Sequence, residues 1–80
     1  MLAVAEFTIF PFVTERLEPY VTAALEETRR SGLSVDVGPL GTTVRGDLEE
    51  ILSLLERVQR AAFANGATKV VTRVELEDEG

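Results

Sequence analysis

Hydrophobic residues recur with two different periods along this chain, and these periods separate four strands from two helices. Short runs that alternate or are rich in β-branched residues predict strands at residues 2–11, 33–38, 42–45 and 67–77. Apolar residues spaced three and four apart predict amphipathic helices that begin near residue 17 or 18 and directly after Asp47. The predicted element order is therefore βαββαβ, in two similar halves of about forty residues.

The ends of the predicted helices carry local signals. Pro19 is tolerated only in a first turn, and Gly32 supplies the left-handed residue that ends the first helix. Asp47 offers a side-chain oxygen to the free amides of the second helix, and Glu50, three residues later, completes a capping box. The second helix is expected to end at Asn65 and Gly66.

The predicted buried stripes follow from the same helical spacing. The first helix should bury one set of side chains: Leu17, Tyr20, Val21, Ala24, Leu25 and Thr28. The second should bury a wider set: Leu48, Ile51, Leu52, Leu55, Val58 and Ala62, with Leu54, Ala61 and Phe63 at its margins.

Right-handed crossovers leave few topologies for this element order with both helices on one face. The favoured one is an α+β, ferredoxin-like sandwich of residues 1–80 as a single domain, with an antiparallel sheet in the order 4-1-3-2. A turn at Gly38 and Pro39 joins the second and third strands as a hairpin, and the second and fourth strands form the edges. The tail at residues 78–80 is expected to fray.

Alternation along the first strand assigns its side chains to two faces of this sheet. Ala3, Ala5, Phe7 and Ile9 should face the helices, and Val4 begins the opposite set. The sheet face without helices is called the open face here, and it should hold Glu6, Thr8, Phe10, Thr43, Arg45, Arg73 and Glu75.

Composition narrows the classes of function. The chain has 80 residues, of which 45% are hydrophobic, so it should fold but bury only a small core, and we expect oligomerisation to add stability. A net charge of −6 opposes binding to nucleic acid, because phosphate contacts need clustered lysines and arginines. Residues 1–12 contain Glu6 and fit neither a signal peptide nor a membrane span, so a cytoplasmic protein without membrane contact is expected.

The sequence contains no histidine and no cysteine, which excludes imidazole and thiolate catalysis, disulfides and ordinary zinc sites. The loop after the first strand, residues 11–16, contains no glycine, so it does not resemble the phosphate loop expected of an acylphosphatase-like enzyme. The open face lacks the basic residues and the stacking aromatics of an RNA-binding module. No group of carboxylates suggests acid–base catalysis.

Two interpretations remain open for the polar residues of the open face. Glu6 and Arg73 form either an ordinary cross-strand ion pair or part of a desolvated contact, because Leu2, Val4 and Val71 make this face apolar for a surface that meets only water. Thr42 and Thr43 are either strand formers or ligand contacts.

The opening Ala5-Glu6-Phe7-Thr8-Ile9, with Pro11, and the closing Val70-Val71-Thr72-Arg73-Val74 are the most specific motifs, together with Gly41-Thr42, Gly46-Asp47 and Gly66-Ala67. With these motifs the chain resembles the small thiamine-binding protein family over nearly its whole length. The resemblance implies a ferredoxin-like subunit, dimers and tetramers, and binding of thiamine or its hydroxymethylpyrimidine moiety without catalysis. No other cofactor and no metal is expected.

Carried over by motif, the candidate ligand-binding or interface residues are Glu6, Thr8, Thr42, Thr43 and Arg73. Arg45 departs from the family pattern, since relatives often carry an acidic residue after the Gly-Thr strand. A thiazolium cation would be repelled by Arg45 unless Glu6 or Glu75 neutralises it, whereas a neutral pyrimidine would be affected less.

Two hypotheses of different classes follow. The first is a non-enzymatic binder of thiamine or a related pyrimidine, built as a homotetramer of two dimers with Val4, Phe10 and Val71 in the contact between open faces. The second is a structural or regulatory oligomer that binds another small ligand or none.

Overall fold

The computed structural model describes residues 1–11, 18–38 and 41–77 of the chain. Predictions that concern Leu17, Pro39 or the tail at 78–80 lie outside these residues. The elements occur in the predicted order: β1 (Leu2–Phe10), α1 (Pro19–Arg30), β2 (Ser34–Val37), β3 (Thr42–Asp47), α2 (Leu48–Ala64) and β4 (Lys69–Leu76). They form one antiparallel sheet in the order β2-β3-β1-β4, which confirms the ferredoxin-like prediction and places β2 and β4 at the edges.

The helix ends follow the local signals in the sequence. Pro19 occupies the first turn of α1, and Gly32 and Gly66 follow the two helices with φ of +73° and +108°, the left-handed region that glycine adopts without strain. Asp47 caps α2 by accepting a hydrogen bond from the Glu49 amide at 3.1 Å. Among the described residues no hydrogen bond joins the Glu50 side chain to the Asp47 amide, so the reciprocal half of the capping box is absent.

The core lies between the sheet and the two helices. Strand β1 alternates as predicted, with Ala3, Ala5, Phe7 and Ile9 buried beneath the helices. In the helix layer, α2 contributes its buried face to the core. α1, which packs mainly on α2, contributes Tyr20, Ala24 and Thr28. The α2 residues in the core are Ile51, Leu54, Leu55, Val58 and Ala62.

Two burial predictions are wrong for one reason, the placement of the helices. Leu52 and Phe63 were expected in the α2 stripe but are 46% and 50% exposed, because they lie on the side of α2 that faces outward over the β4 edge. Strand β2 was expected to be half-buried but is exposed throughout, with Val37 at 59%. In the part of the chain that the structure describes, α2 packs on β1, β3 and β4 and α1 packs on α2, and neither helix packs extensively on β2.

In the described part of the chain, neither helix has the length and apolar character that crossing a membrane requires.

Candidate functional site on the open face

The sheet register brings four of the five predicted site residues together on the open face. Glu6 on β1 lies between Thr43 of β3 and Arg73 of β4, each its direct cross-strand partner. Thr8, two residues further along β1, points to the same face because side chains on a strand alternate. β1 therefore presents the carboxylate of Glu6 and the hydroxyl of Thr8. On one side β3 adds the hydroxyl of Thr43, and on the other β4 adds the guanidinium of Arg73.

The fifth predicted residue, Thr42, lies on the opposite face. It pairs with Phe7 on β1 and with Val37 on β2, and it is only 7% exposed beneath the helix layer. Thr42 is therefore separated from the other four candidates by the sheet itself. Thr42 directly precedes Thr43, and neighbouring residues on a strand point to opposite faces of the sheet.

Arg73 connects two carboxylates across the open face. Its Nη2 atom lies 3.6 Å from Glu6 Oε1, and its Nε atom lies 3.3 Å from Glu75 Oε1. The side chains are largely exposed, so each ion pair adds only a few tenths of a kcal/mol to stability. The three side chains orient one another, however, and as a group they carry one surplus negative charge.

Arg45 is paired with Glu77, the residue that follows β4. The guanidinium bonds to the Glu77 carboxylate across the Leu2 end of β1. Neither Glu6 nor Glu75, the partners considered from the sequence, is bonded to Arg45, because both pair with Arg73. The positive charge of Arg45 is nevertheless offset locally, and the electrostatic obstacle expected from the sequence is reduced.

A glycine allows β3 to approach β1 closely beside these polar groups. A methyl group built on Gly41 would lie 2.9 Å from Thr8 Oγ1 and 3.0 Å from the Phe7 carbonyl oxygen, both closer than a carbon atom can approach without displacing them. It would also lie 3.6 Å from Cγ of Glu6. Gly41 thus keeps free the space next to Glu6 and Thr8.

Apolar side chains border the polar group on the same face. Val71, the cross-strand partner of Thr8, is 52% exposed, and Leu2 at the other end is 47% exposed. Val4 and Phe10 are half-buried, and the Lys69 ammonium lies 4.3 Å from the centre of the Phe10 ring, a cation–π distance. The open face therefore combines hydrogen-bonding groups at its centre with an apolar border.

This arrangement is suited to holding a small polar ligand by hydrogen bonds. Glu6 accepts, Arg73 donates, and the hydroxyls of Thr8 and Thr43 do either. Among residues 1–11, 18–38 and 41–77, no three potential ligand side chains are close enough together to hold a metal ion.

Comparison with known families identifies a match over most of the chain. The model of the family described as "Thiamine-binding protein" matches residues 5–79, which include every strand and helix except the first few residues of β1. The chain belongs to this family.

Curated relatives of this thiamine-binding family member, and solved structures similar to it, agree with that assignment. A UPF0045 protein of Clostridium perfringens is 29% identical over 70 residues, which cover 86% of this chain and 74% of the relative. A domain of unknown function from Bacillus cereus has the same fold, with a TM-score of 0.72 and 28% identity over 92% of this chain and 72% of that one.

The name of a third protein with a similar structure refers to thiamine. It is a putative thiamine biosynthesis/salvage protein of Thermotoga maritima, 26% identical with a TM-score of 0.70, and the match covers 94% of this chain and 81% of the other.

Sequence reasoning missed two residues of this site in the thiamine-binding family member. Gly41 was noted only as part of a motif, although a glycine directly before a strand signals a close backbone approach. Glu77 was included in the last strand without a role. Its alternation with Glu75 and Arg73 would have placed it on the open face, but no pattern in the sequence identifies Arg45 as its partner.

Proposed function

We propose that this protein binds thiamine or its hydroxymethylpyrimidine moiety on the open face, without catalysis, as a cytoplasmic homo-oligomer. The observation that carries the proposal is the position of Glu6 between Thr43 and Arg73 in a member of the thiamine-binding family. A structural or regulatory oligomer is the alternative, and the exposed apolar border formed by Leu2 and Val71 favours it to the extent that a second copy covers this face.

The chemistry of an aminopyrimidine matches the polar groups present. Its exocyclic amine is a donor that a carboxylate such as Glu6 accepts, and its ring nitrogens are acceptors for Arg73 or for a threonine hydroxyl. Hydrogen bonds to charged partners are stronger than those between neutral groups, so Glu6 is the contact expected to contribute most to affinity. The apolar border accommodates the flat faces of the ring.

Electrostatics also allow the cationic thiazolium of the whole vitamin. Glu6, Arg73 and Glu75 together carry one surplus negative charge, and Glu77 offsets Arg45. A single positive charge near this group is therefore attracted, although screening at an exposed surface keeps the contribution small.

Calorimetric titration of the wild-type protein and of Glu6→Gln with thiamine, thiamine phosphates and hydroxymethylpyrimidine tests the proposal. We expect Glu6→Gln to weaken binding roughly 10-fold to 100-fold, because a hydrogen bond to a charged group is worth about 1.5–3 kcal/mol. Glu56→Gln is the matched control, since Glu56 is an exposed carboxylate on α2, away from the open face. Wild-type protein that gives neither heat nor a thermal shift with millimolar ligand would leave only the structural oligomer.

A further inference from the structure

One row of cross-strand partners crosses the whole sheet on the open face. Glu6 of β1 lies between Thr43 of β3 and Arg73 of β4. Beyond Thr43 the row continues to Asp36 of β2, which is the direct partner of Thr43. Direct cross-strand partners point to the same face of a sheet, so the row places a second carboxylate on the open face, at the β2 edge.

Asp36 differs from the other carboxylate of this row in its pairing. Glu6 pairs with Arg73, which also pairs with Glu75. In the part of the chain that the structure describes, no cationic group forms a salt bridge with Asp36. Its side chain lies on a strand that is exposed throughout, so its negative charge is available to a group from solution.

Arg45 is a diagonal neighbour of Asp36, but its guanidinium extends in the other direction. Arg45 lies two residues after Thr43 on β3, and such diagonal neighbours have Cα atoms about 7–8 Å apart. The guanidinium instead crosses β1 and bonds to the carboxylate of Glu77, whose amide donates to the Leu2 carbonyl. The arginine closest to Asp36 in the register is therefore engaged elsewhere.

We propose that Asp36 binds the positively charged group of the ligand while Glu6 accepts a hydrogen bond from its amine. The site then selects a cationic aminopyrimidine such as thiamine over the neutral hydroxymethylpyrimidine. This proposal deepens the proposed function and rests on it. It names the residue that distinguishes the two ligands, a choice that the proposed function leaves open.

The spacing of the strands suits a ligand of this size. Neighbouring strands lie about 4.8 Å apart, so Asp36 and Glu6, two strands apart, have backbones separated by about 10 Å. Thr43 lies between them, and its side chain is shorter than either carboxylate side chain. A single methylene group joins the two rings of thiamine, so the amine and the cationic ring can each face one carboxylate across Thr43.

The remaining carboxylates of the open face suit a ligand cation less well. Glu75 is bonded to Arg73 and Glu77 to Arg45, so a cation beside either carboxylate also meets a guanidinium. Two positive charges at short distance repel each other, which reduces the attraction of the carboxylate. Among the described residues no guanidinium in salt-bridge contact with Asp36 opposes the ligand in this way.

Calorimetric titration of Asp36→Asn with thiamine and with hydroxymethylpyrimidine tests the proposal. Asparagine keeps the shape of the side chain and removes its charge, so the affinity for thiamine should fall about 3-fold to 5-fold, as for an exposed ion pair. The affinity for hydroxymethylpyrimidine should not change. An Asp36→Asn variant that loses affinity equally for both ligands, or for neither, would overturn the proposal.

Two further variants serve as controls for this titration. Glu56→Gln changes the net charge by the same amount on α2, away from the open face, and should leave both affinities unchanged. Asp36→Glu keeps the charge and should keep the preference for thiamine. Circular dichroism checks that each variant is folded. Loss of the preference in Glu56→Gln as well would mean that net charge, and not the position of Asp36, is responsible.

The dependence on salt provides a measurement that a purely structural role of Asp36 would not affect. The screening length falls from about 10 Å at 0.1 M salt to about 3 Å at 1 M. The ratio of the thiamine affinity to the hydroxymethylpyrimidine affinity should therefore fall with added sodium chloride, and it should fall less in Asp36→Asn. Equal falls in the two proteins would contradict the proposal.

The titrations separate this proposal from the proposed function. Wild-type protein that binds neither ligand would refute the proposed function and, with it, the role of Asp36. Wild-type protein that binds thiamine with an affinity that Asp36→Asn does not alter would refute the role of Asp36 alone.

Discussion

The two faces of β1 differ in the burial of their side chains and in how much those side chains contribute to stability. On the covered face, Ala3, Ala5 and Phe7 are at most 2% exposed. On the open face, Glu6 is exposed and contacts Arg73 at 3.6 Å, a distance at which an exposed pair contributes little to stability. The first face determines whether the chain folds, and the second is available for whatever binds.

This difference explains why the candidate site is not in the interior. Close packing around Phe7 leaves no room for a change of even one methylene group without cost. Exposed ion pairs, in contrast, can be exchanged for contacts to a ligand, because water and mobile ions already compete for them. A sheet with one layer of helices supplies both environments within one residue of each other.

The strongest perturbation of the open face is Val4→Asp together with Phe10→Asp. We expect this double variant to dissociate the proposed tetramer, because unpaired carboxylates in an apolar contact cost several kcal/mol. Light scattering reports the mass, and Thr22→Asp with Ser53→Asp adds the same charge at exposed helix positions as a control. A wild-type chain that runs as an 8.8 kDa monomer at micromolar concentration, or a double variant that stays tetrameric, contradicts this account of the open face.

A matched pair of phenylalanines measures the contrast within a subunit. Phe7→Ala should lower the free energy of unfolding by about 3–5 kcal/mol, since it removes a ring from a close-packed site. Phe10→Ala, three residues later on the open face, should cost less than half as much, because that ring is only partly covered. Urea denaturation measures the free energy of unfolding of both variants. Equal losses of this free energy would mean that the two faces are buried alike in solution.

The smallest expected effect lies at the junction of β3 and α2. The amino-terminal ammonium, whose nitrogen lies 3.3 Å from Asp47 Oδ1, and the Glu49 amide hold the pKa of Asp47 below its ordinary value. A carboxyl group with a lowered pKa in the folded state stabilises the protein above about pH 4, and this stabilisation is lost as the pH falls through the folded-state value.

Asp47→Asn should therefore lower the thermal midpoint slightly near neutral pH and reduce its fall between about pH 5 and pH 2. Differential scanning calorimetry across that range is the measurement. Parallel curves for the variant and the wild-type protein would show that Asp47 has the same pKa folded and unfolded.

The periods of the apolar residues and the signals at the helix ends were sufficient to predict the topology from the sequence. Alternation from Ala3 to Ile9 determined which side of β1 is buried, and Gly32, Asp47 and Gly66 marked helix ends where the structure has them. These are local properties, decided by residues within one turn or one strand. The facing of Glu6 and Arg73 also followed, because the strand order and the period of two leave little freedom in the register.

The errors concern relations between elements. Helical spacing identifies an apolar stripe but not its burial, so it could not show that Leu52 and Phe63 lie beyond the layer that α2 covers. Likewise, the motif made both Thr42 and Thr43 candidates, although alternation had placed only Thr43 on the open face, and the pairing of Thr42 with Phe7 puts Thr42 beneath the helices. The bond from Arg45 to Glu77 spans 32 residues and crosses a strand, which no local pattern encodes.

Gly41 has a consequence for anyone who wishes to redesign ligand preference. A side chain there meets the carbonyl oxygen of Phe7, which is part of the backbone and cannot turn aside as a rotamer would. Saturation libraries that include position 41 would consequently lose most of their members to distorted sheets. Thr43, a half-buried residue on the open face that already carries a side chain beside Glu6, is the position at which the repertoire of side chains can be widened.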